Sequence, residues 1–178
     1  MTHGPHLTLP VGPRDHIQGG EHASITLVEY GDYECPHCAR AHQIVKAVQK
    51  HFGEKLRFVF RNFPLNESHP HAGAAAETAE AAAGEGKFWE MHDVLFENQR
   101  ALETDDLVVY ATNLGLDVKR VVSELERRVH LPRVKEDFSS GVRSGVNGTP
   151  TFFINGARFD GNWDQAGLIA ALENSSPR

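Results

Sequence analysis

Apolar and polar positions change period several times along the chain, and each change marks an element. Residues 1–22 carry Pro5, Pro10 and Pro13 among several glycines. They predict an extended, turn-rich arm, with Leu7, Leu9 and Val11 alternating as an edge strand. The run Ser24-Ile25-Thr26-Leu27-Val28-Glu29-Tyr30 predicts a buried strand that ends at the turn signal Gly31-Asp32. From Pro36 to about Phe52 the pattern turns helical, with Ile44, Val45, Val48 and Phe52 recurring near the helical period. Pro36 suits the first position of that helix, where a missing N–H costs nothing, and Gly53 marks its stop. Leu56 to Phe63 reads as a second strand ended by Pro64. Strand, helix and strand in this order predict a βαβ unit with parallel strands.

Residues 66–145 differ in kind. Ala72 to Ala83 is alanine-rich and helical by propensity. Phe88, Met91, Leu95 and Phe96 form another helical face. Thr104-Asp105-Asp106 opens a third helix with Thr104 as N-cap and acids that favour its N-terminal dipole. Asp117 caps a fourth, and Pro132 to Gly145 forms a fifth. Strands then return: Thr151–Ile154 and Ala157–Phe159 flank Asn155-Gly156, the strongest two-residue hairpin signal. A last helix runs from about Asp164 to Glu173, and the tail after Asn174 is expected to fray.

Composition narrows the function. The 178 residues are 40% hydrophobic and 24% charged, as in an ordinary globular domain, and the formal net charge of −6 argues against nucleic-acid or anionic-membrane binding. No stretch reaches the ~18 apolar residues of a membrane span. The N-terminus lacks a basic segment followed by an apolar one, so the residues as they stand point to the cytoplasm. A chain trimmed after a signal peptide would look the same, which keeps an extracytoplasmic site open. The eleven histidines are scattered and expected at the surface, including His42 and the loop pair His69 and His71. A monomer is expected.

The two cysteines carry the candidate chemistry. They are two residues apart in Glu34-Cys35-Pro36-His37-Cys38, whereas a stapled scaffold needs several, widely spaced. The thiolate is the attacking species in disulfide exchange. Cys35 follows a strand and turn and precedes a helix, so unpaired N–H groups and the helix dipole favour negative charge there. A protonated His37 would add to this, lowering the Cys35 pKa from ~8.5 into the range ~3.5–7.5. Cys35, at a helix start that tends to be exposed, would be the exposed nucleophile, and Cys38, one turn later, would resolve the mixed disulfide. The rival reading is a zinc half-site with His42 on the same helix face. Structural zinc usually takes four protein ligands, and a second cysteine pair is absent, so redox chemistry without a metal or cofactor is preferred.

Two motifs together, Val28-Glu29-Tyr30-Gly31-Asp32-Tyr33-Glu34-Cys35-Pro36-His37-Cys38 and Gly148-Thr149-Pro150-Thr151-Phe152-Phe153-Ile154-Asn155-Gly156, resemble the DsbA-like branch of the thioredoxin superfamily. The likeness spans about Asp15 to Leu172. It implies an α/β thioredoxin fold, a central mixed sheet flanked by helices, in 1–65 and 146–178, with a helical insertion at 66–145. It also implies a redox-active disulfide between Cys35 and Cys38. Pro150 matches the family's cis-proline, and Thr149 would offer backbone groups to an extended substrate. Glu29 matches the buried acid that assists proton transfer at the resolving cysteine, with Arg61 as its charged partner, although Arg57 is also available. The Pro36-His37 dipeptide is of the DsbA type, whose stabilised thiolate makes a strong oxidant. A reducing cytosol would instead hold both thiols reduced. Three activities therefore stay open: a disulfide oxidase of exported proteins, a cytosolic reductase or isomerase acting on protein or small thiols, and a metal-binding or regulatory module of the kind fused to a membrane transporter. Substrate and redox partner are not named by the sequence.

Overall fold

The structure, a computed structural model, describes residues 5–175. Five strands form one sheet: β1 (His16–Gly19), β2 (Ile25–Gly31), β3 (Leu56–Asn62), β4 (Thr151–Ile154) and β5 (Ala157–Phe159), in the order β1-β3-β2-β4-β5. The β1–β3, β2–β4 and β4–β5 pairs are antiparallel, which leaves β2 and β3 as the parallel pair of this mixed sheet. The helix α1 (Pro36–Phe52) connects that pair, followed by a short 3-10 turn at Gly53–Lys55. This is the βαβ unit that the pattern predicted. In β2 and β3 only Thr26 and Arg57 fall short of full burial, and the Arg57 guanidinium donates to the Thr26 hydroxyl from Nε at 3.2 Å and Nη2 at 3.0 Å. Near-continuous burial explains why both strands read as apolar runs rather than alternating ones.

The chain divides into two compact units. One holds the residues up to Gly31, Arg40–Arg61 and those from Ser139 onward; the other holds Asp32–Ala39 and Asn62–Phe138. The first contains most of the sheet. At its centre Arg61 is fully buried, and all five of its N–H donors are used. Nε and Nη2 grip the Asp15 carboxylate at 2.8 and 3.0 Å, Nη1 reaches the Leu9 carbonyl and the Tyr30 hydroxyl at 2.9 Å each, and Nη2 also reaches the Pro10 carbonyl at 3.2 Å. The edge strand expected at Leu7 to Val11 is therefore displaced. Arg61 takes the carbonyls of Leu9 and Pro10 out of any ladder, and the prolines supply no donors. What remains there is a single bridge, His6 to Ala157, while the edge strand forms at His16–Gly19 against β3. Arg61 was also expected to partner Glu29; its donors are committed to the arm and Tyr30 instead.

The hairpin is as predicted, with Asn155 at φ 49° and Gly156 at φ 84°, the left-handed pair that a tight turn demands. Gly31 is needed for a different reason: a Cβ there would lie 2.4 Å from the buried Phe60 ring. Along α1 the buried stripe is Cys38, Ala41, His42, Val45 and Val48, so His42 is a core residue rather than a surface one, and Ile44 and Phe52 are only half-buried.

The second unit is helical: α2 (Ala72–Ala83), α3 (Phe88–Glu97), α4 (Thr104–Asn113), α5 (Val118–Glu126) and the larger part of α6 (Leu131–Arg143). Ten of the twelve α2 residues are buried, because alanine lets α3, α4 and α5 pack closely around it. Asp117 caps α5 as expected, accepting from the Arg120 N–H at 3.1 Å. The cap of α4 is Glu103 rather than Thr104: its side chain accepts from the N3 backbone, and the Asp106 carboxylate answers to the Glu103 N–H. A longer carboxylate one residue earlier completes a reciprocal box that Thr104 cannot. The last helix, α7 (Gln165–Ser175), starts at the Asp164 carboxylate, which takes the Gly167 N–H at 2.8 Å. It stays helical through Ser175, so of the fraying expected after Asn174 only 176–178 lie outside the described residues. No described helix is long and apolar enough to cross a membrane.

Candidate active site

The segment Asp32-Tyr33-Glu34-Cys35 links β2 to α1 and sets the cysteines at the helix start. The Cys35 carbonyl accepts from Cys38 N–H at 3.0 Å and Ala39 N–H at 3.2 Å, so Cys35 is in effect the N-cap of α1. Cys38 lies one turn on, and no disulfide joins the two sulfurs. The Asp32 N–H donates to the Cys38 sulfur at 3.5 Å. Gln99 fastens the turn from the side: its Nε2 donates to the Tyr33 carbonyl at 3.0 Å and the Cys35 carbonyl at 2.7 Å.

Cys35 was expected to be exposed. It is 4% exposed, and Cys38 is fully buried. The reason is that the whole turn is packed. Tyr33, 1% exposed, meets the Phe96 ring at 4.8 Å and bonds through its hydroxyl to His92 Nδ1 at 3.0 Å, while Gln99 covers the Cys35 carbonyl. Pro36 and His37, the first residues of α1, are exposed. Glu29 is buried in β2 opposite Phe152, as its place in an apolar strand suggested. Thr149 and Pro150 are half-buried just before β4, and the peptide bond between them is cis.

Acid–histidine pairs that sequence reading missed surround the turn. The Asp32 carboxylate has no exposure. Its Oδ1 accepts the Glu34 N–H at 2.8 Å; its Oδ2 accepts the Leu65 N–H at 2.8 Å and meets His69 Nδ1 at 2.8 Å. Glu34 repeats the arrangement two residues later, its Oε2 taking the His71 N–H at 2.7 Å and its Oε1 meeting His71 Nδ1 at 2.8 Å. Burial works against a charged His69, but the hydrogen bond to Asp32 and the negative charges of Asp32, Cys35 and Glu34 outweigh it and raise its pKa above 6.5. His71 is raised chiefly by its hydrogen bond to Glu34, against a burial cost and with help from the charges of Glu34, Glu103 and Asp106. The signal was present in the sequence: acids at 32 and 34 and histidines at 69 and 71 share a two-residue spacing.

Elsewhere in the helical unit, Asp137 is fully buried and Glu80 nearly so, and the two share the Asn62 side-chain amide. Burial pushes the Asp137 pKa up, against the pull of Arg133. Trp163 lies outside this unit, its ring 6.2 Å from Phe152 and facing the Arg40 guanidinium at 4.9 Å.

Fold and turn together define a class. A family model described as thioredoxin matches residues 12–174, and the chain belongs to that family. Its fold is that of DsbA-like thiol–disulfide oxidoreductases. Among solved structures it is similar to oxidised BdbD from Bacillus subtilis, with a TM-score of 0.85 and 23% identity over 97% of this chain and 96% of that one. It is also similar to a thioredoxin-like oxidoreductase from Silicibacter pomeroyi DSS-3, with a TM-score of 0.82 and 26% identity over 92% and 93% of the two chains. Higher identity comes from a different direction. The chain is 47% identical over 172 residues to the Na(+)/H(+) antiporter NhaA 1 of Mycobacterium sp. (strain KMS), covering 94% of this chain and 28% of that protein. For the NhaA antiporter of Herminiimonas arsenicoxydans the identity is 46% over 170 residues, covering 95% and 27%. The chain thus spans little more than a quarter of the length of these curated relatives.

Proposed function

We propose that this chain exchanges disulfides through Cys35 and Cys38, with Cys35 as nucleophile. The observation that carries the assignment is the placement of the two thiols at the start of one helix. Cys35 keeps a little exposure, whereas Cys38 has none and is a turn further in. An incoming disulfide can thus meet Cys35 alone. The Cys35 thiolate attacks one substrate sulfur, releasing the other as a thiolate and leaving a mixed disulfide. The Cys38 thiol gives up its proton and attacks the Cys35 sulfur, so two electrons pass to the substrate and the Cys35–Cys38 disulfide remains. Run in reverse, the same steps oxidise a substrate dithiol. By the family resemblance, Glu29 would be the acid that assists proton transfer at Cys38, and Thr149 and Pro150 would be the segment that receives an extended substrate. The helical residues 66–145 would bias which substrates approach.

Cys35→Ser should abolish reduction of insulin by the chain, and Cys38→Ser should accumulate mixed disulfides. Full activity in Cys35→Ser refutes the assignment. Equilibration with glutathione then sets the direction of electron flow.

A second reading has its own support. The high identity to antiporters, over about a quarter of their length, favours a redox or regulatory module that works beside a sodium–proton exchanger. Transport measured in vesicles bearing a full-length antiporter, with this domain's cysteines oxidised and then reduced, tests it; transport indifferent to that change removes it.

A further inference from the structure

We propose that His69, held on the buried Asp32 carboxylate, is a positioning residue that stabilises the Cys35 thiolate, and that His71 on Glu34 supports it. This rests on the reading of Cys35 as nucleophile.

The geometry explains why a histidine outside the Cys-Pro-His-Cys run should matter. Asp32 makes three side-chain hydrogen bonds and two through its backbone. Its carbonyl takes the Cys35 N–H at 3.2 Å, and its N–H points at the Cys38 sulfur. One residue thus fixes both cysteines and the His69 imidazole in a common frame. His37, by contrast, stands exposed, where water and salt screen its charge.

Charge balance gives the device its sign. The groups facing one another are Asp32, Glu34 and Cys35 on the turn and His69 and His71 on the loop after β3, with Glu103 and Asp106 also facing His71. Two carboxylates beside a thiolate oppose its formation. Protonated His69 and His71 cancel them and leave the helix N-terminus to favour the anion. Neutral imidazoles leave both carboxylates uncompensated. Linkage makes the coupling mutual: the Cys35 charge that raises the His69 pKa is stabilised in turn by the imidazolium. The thiolate should therefore be most stable while His69 carries its proton, and the oxidising strength of the disulfide should fall as that proton leaves.

The experiment uses the full reduced chain and follows ultraviolet thiolate absorbance against pH in wild type, His69→Asn and His69→Lys. His69→Asn should need a pH higher by about one unit, about tenfold less thiolate at a given pH, as expected for loss of a nearby opposite charge. Tenfold corresponds to a reduction potential lower by about 30 mV for this two-electron couple. His69→Lys, which keeps a cation, should titrate close to wild type. Should His69→Asn fail to fold, wild type against His69→Lys still decides. The potential-against-pH curve should inflect above pH 6.5 in wild type and lose that inflection with lysine. An unmoved titration in His69→Asn, equal shifts in both variants, or the same inflection in His69→Lys overturns the proposal. Retained exchange in Cys35→Ser would instead overturn the reading beneath it, so the two failures are distinguishable.

Discussion

Replacing Arg61 with methionine is the sharpest test of what holds the first unit together. The substitution keeps much of the aliphatic stem and removes five donors at once. Asp15 would keep only the Gly12 N–H at 2.9 Å, while its side chain has no exposure. The carbonyls of Leu9 and Pro10 would lose their Arg61 bonds, and the Tyr30 hydroxyl would keep Ser140 at 2.8 Å. Removing one partner of a buried ion pair costs roughly 3–5 kcal/mol, because the other charge stays buried without compensation. The extra acceptors place this site at the upper end. That is a large share of a total stability of about 5–15 kcal/mol. Urea unfolding should show a lower midpoint at unchanged slope, and the melting temperature should drop by roughly 10–20 °C at the ~2–4 °C per kcal/mol of a domain this size.

The pH dependence supplies the sign. Burial alone would raise the Asp15 pKa, but the Arg61 hydrogen bonds, the Gly12 N–H and the charges of Arg61 and Arg14 bring it below 3.8. A carboxylate lowered on folding stabilises the fold above its unfolded value and loses that contribution as pH falls through the folded one. In Arg61→Met the orphaned Asp15 should instead resist ionisation. The variant's deficit should then shrink on acidification from neutral pH toward pH 4, the reverse of losing a mere contact. Asp15→Leu added to Arg61→Met should recover part of the loss. A deficit under about 1 kcal/mol, or one that is flat with pH, would show that the pair does not anchor the arm.

Two further substitutions probe separate points. Gly31→Ala should cost about 1–3 kcal/mol in chemical denaturation, since its Cβ would press on Phe60, and Phe60→Leu in the same chain should return part of it; a neutral Gly31→Ala would mean that the strand yields freely. Arg128, at φ 54°, holds a left-handed position after α5 while its Nε donates to the buried Glu77 at 2.8 Å. Arg128→Gly loses the pair but relieves a backbone cost of about 1–2 kcal/mol, so it should unfold later than Arg128→Ala; the opposite order would place the cost elsewhere.

Local chemistry made much of the fold legible. Pro36 and Gly53 bound α1 because one residue type suits a helix start and the other its end. Asn155-Gly156 closes the hairpin because both residues tolerate positive φ. The cysteine pair stood out by spacing alone. What stayed hidden depends on partners far along the chain. Nothing near Leu9 announces that Arg61, more than fifty residues away, will claim its carbonyl, and the strand consequently forms at His16. Nor does the cysteine motif show that Tyr33, Phe96 and Gln99 will pack the turn and leave Cys35 so little exposed.

The same distance hid the acid–histidine pairs, and there the consequence is chemical. Read by itself, Asp32-Tyr33-Glu34 before the cysteine proposed as nucleophile is a contradiction, since two carboxylates disfavour the thiolate that exchange requires. The contradiction disappears once β3 has delivered the loop carrying His69-Pro70-His71. The two-residue spacing of the acids then meets the two-residue spacing of the histidines, and Asp32 and Glu34 each take one imidazole. On the proposal made above, folding of the helical unit becomes a condition for a stable Cys35 thiolate, and not merely a frame around it. Chains carrying the cysteine motif without the histidine pair should need fewer acids in the turn, or accept a weaker thiolate.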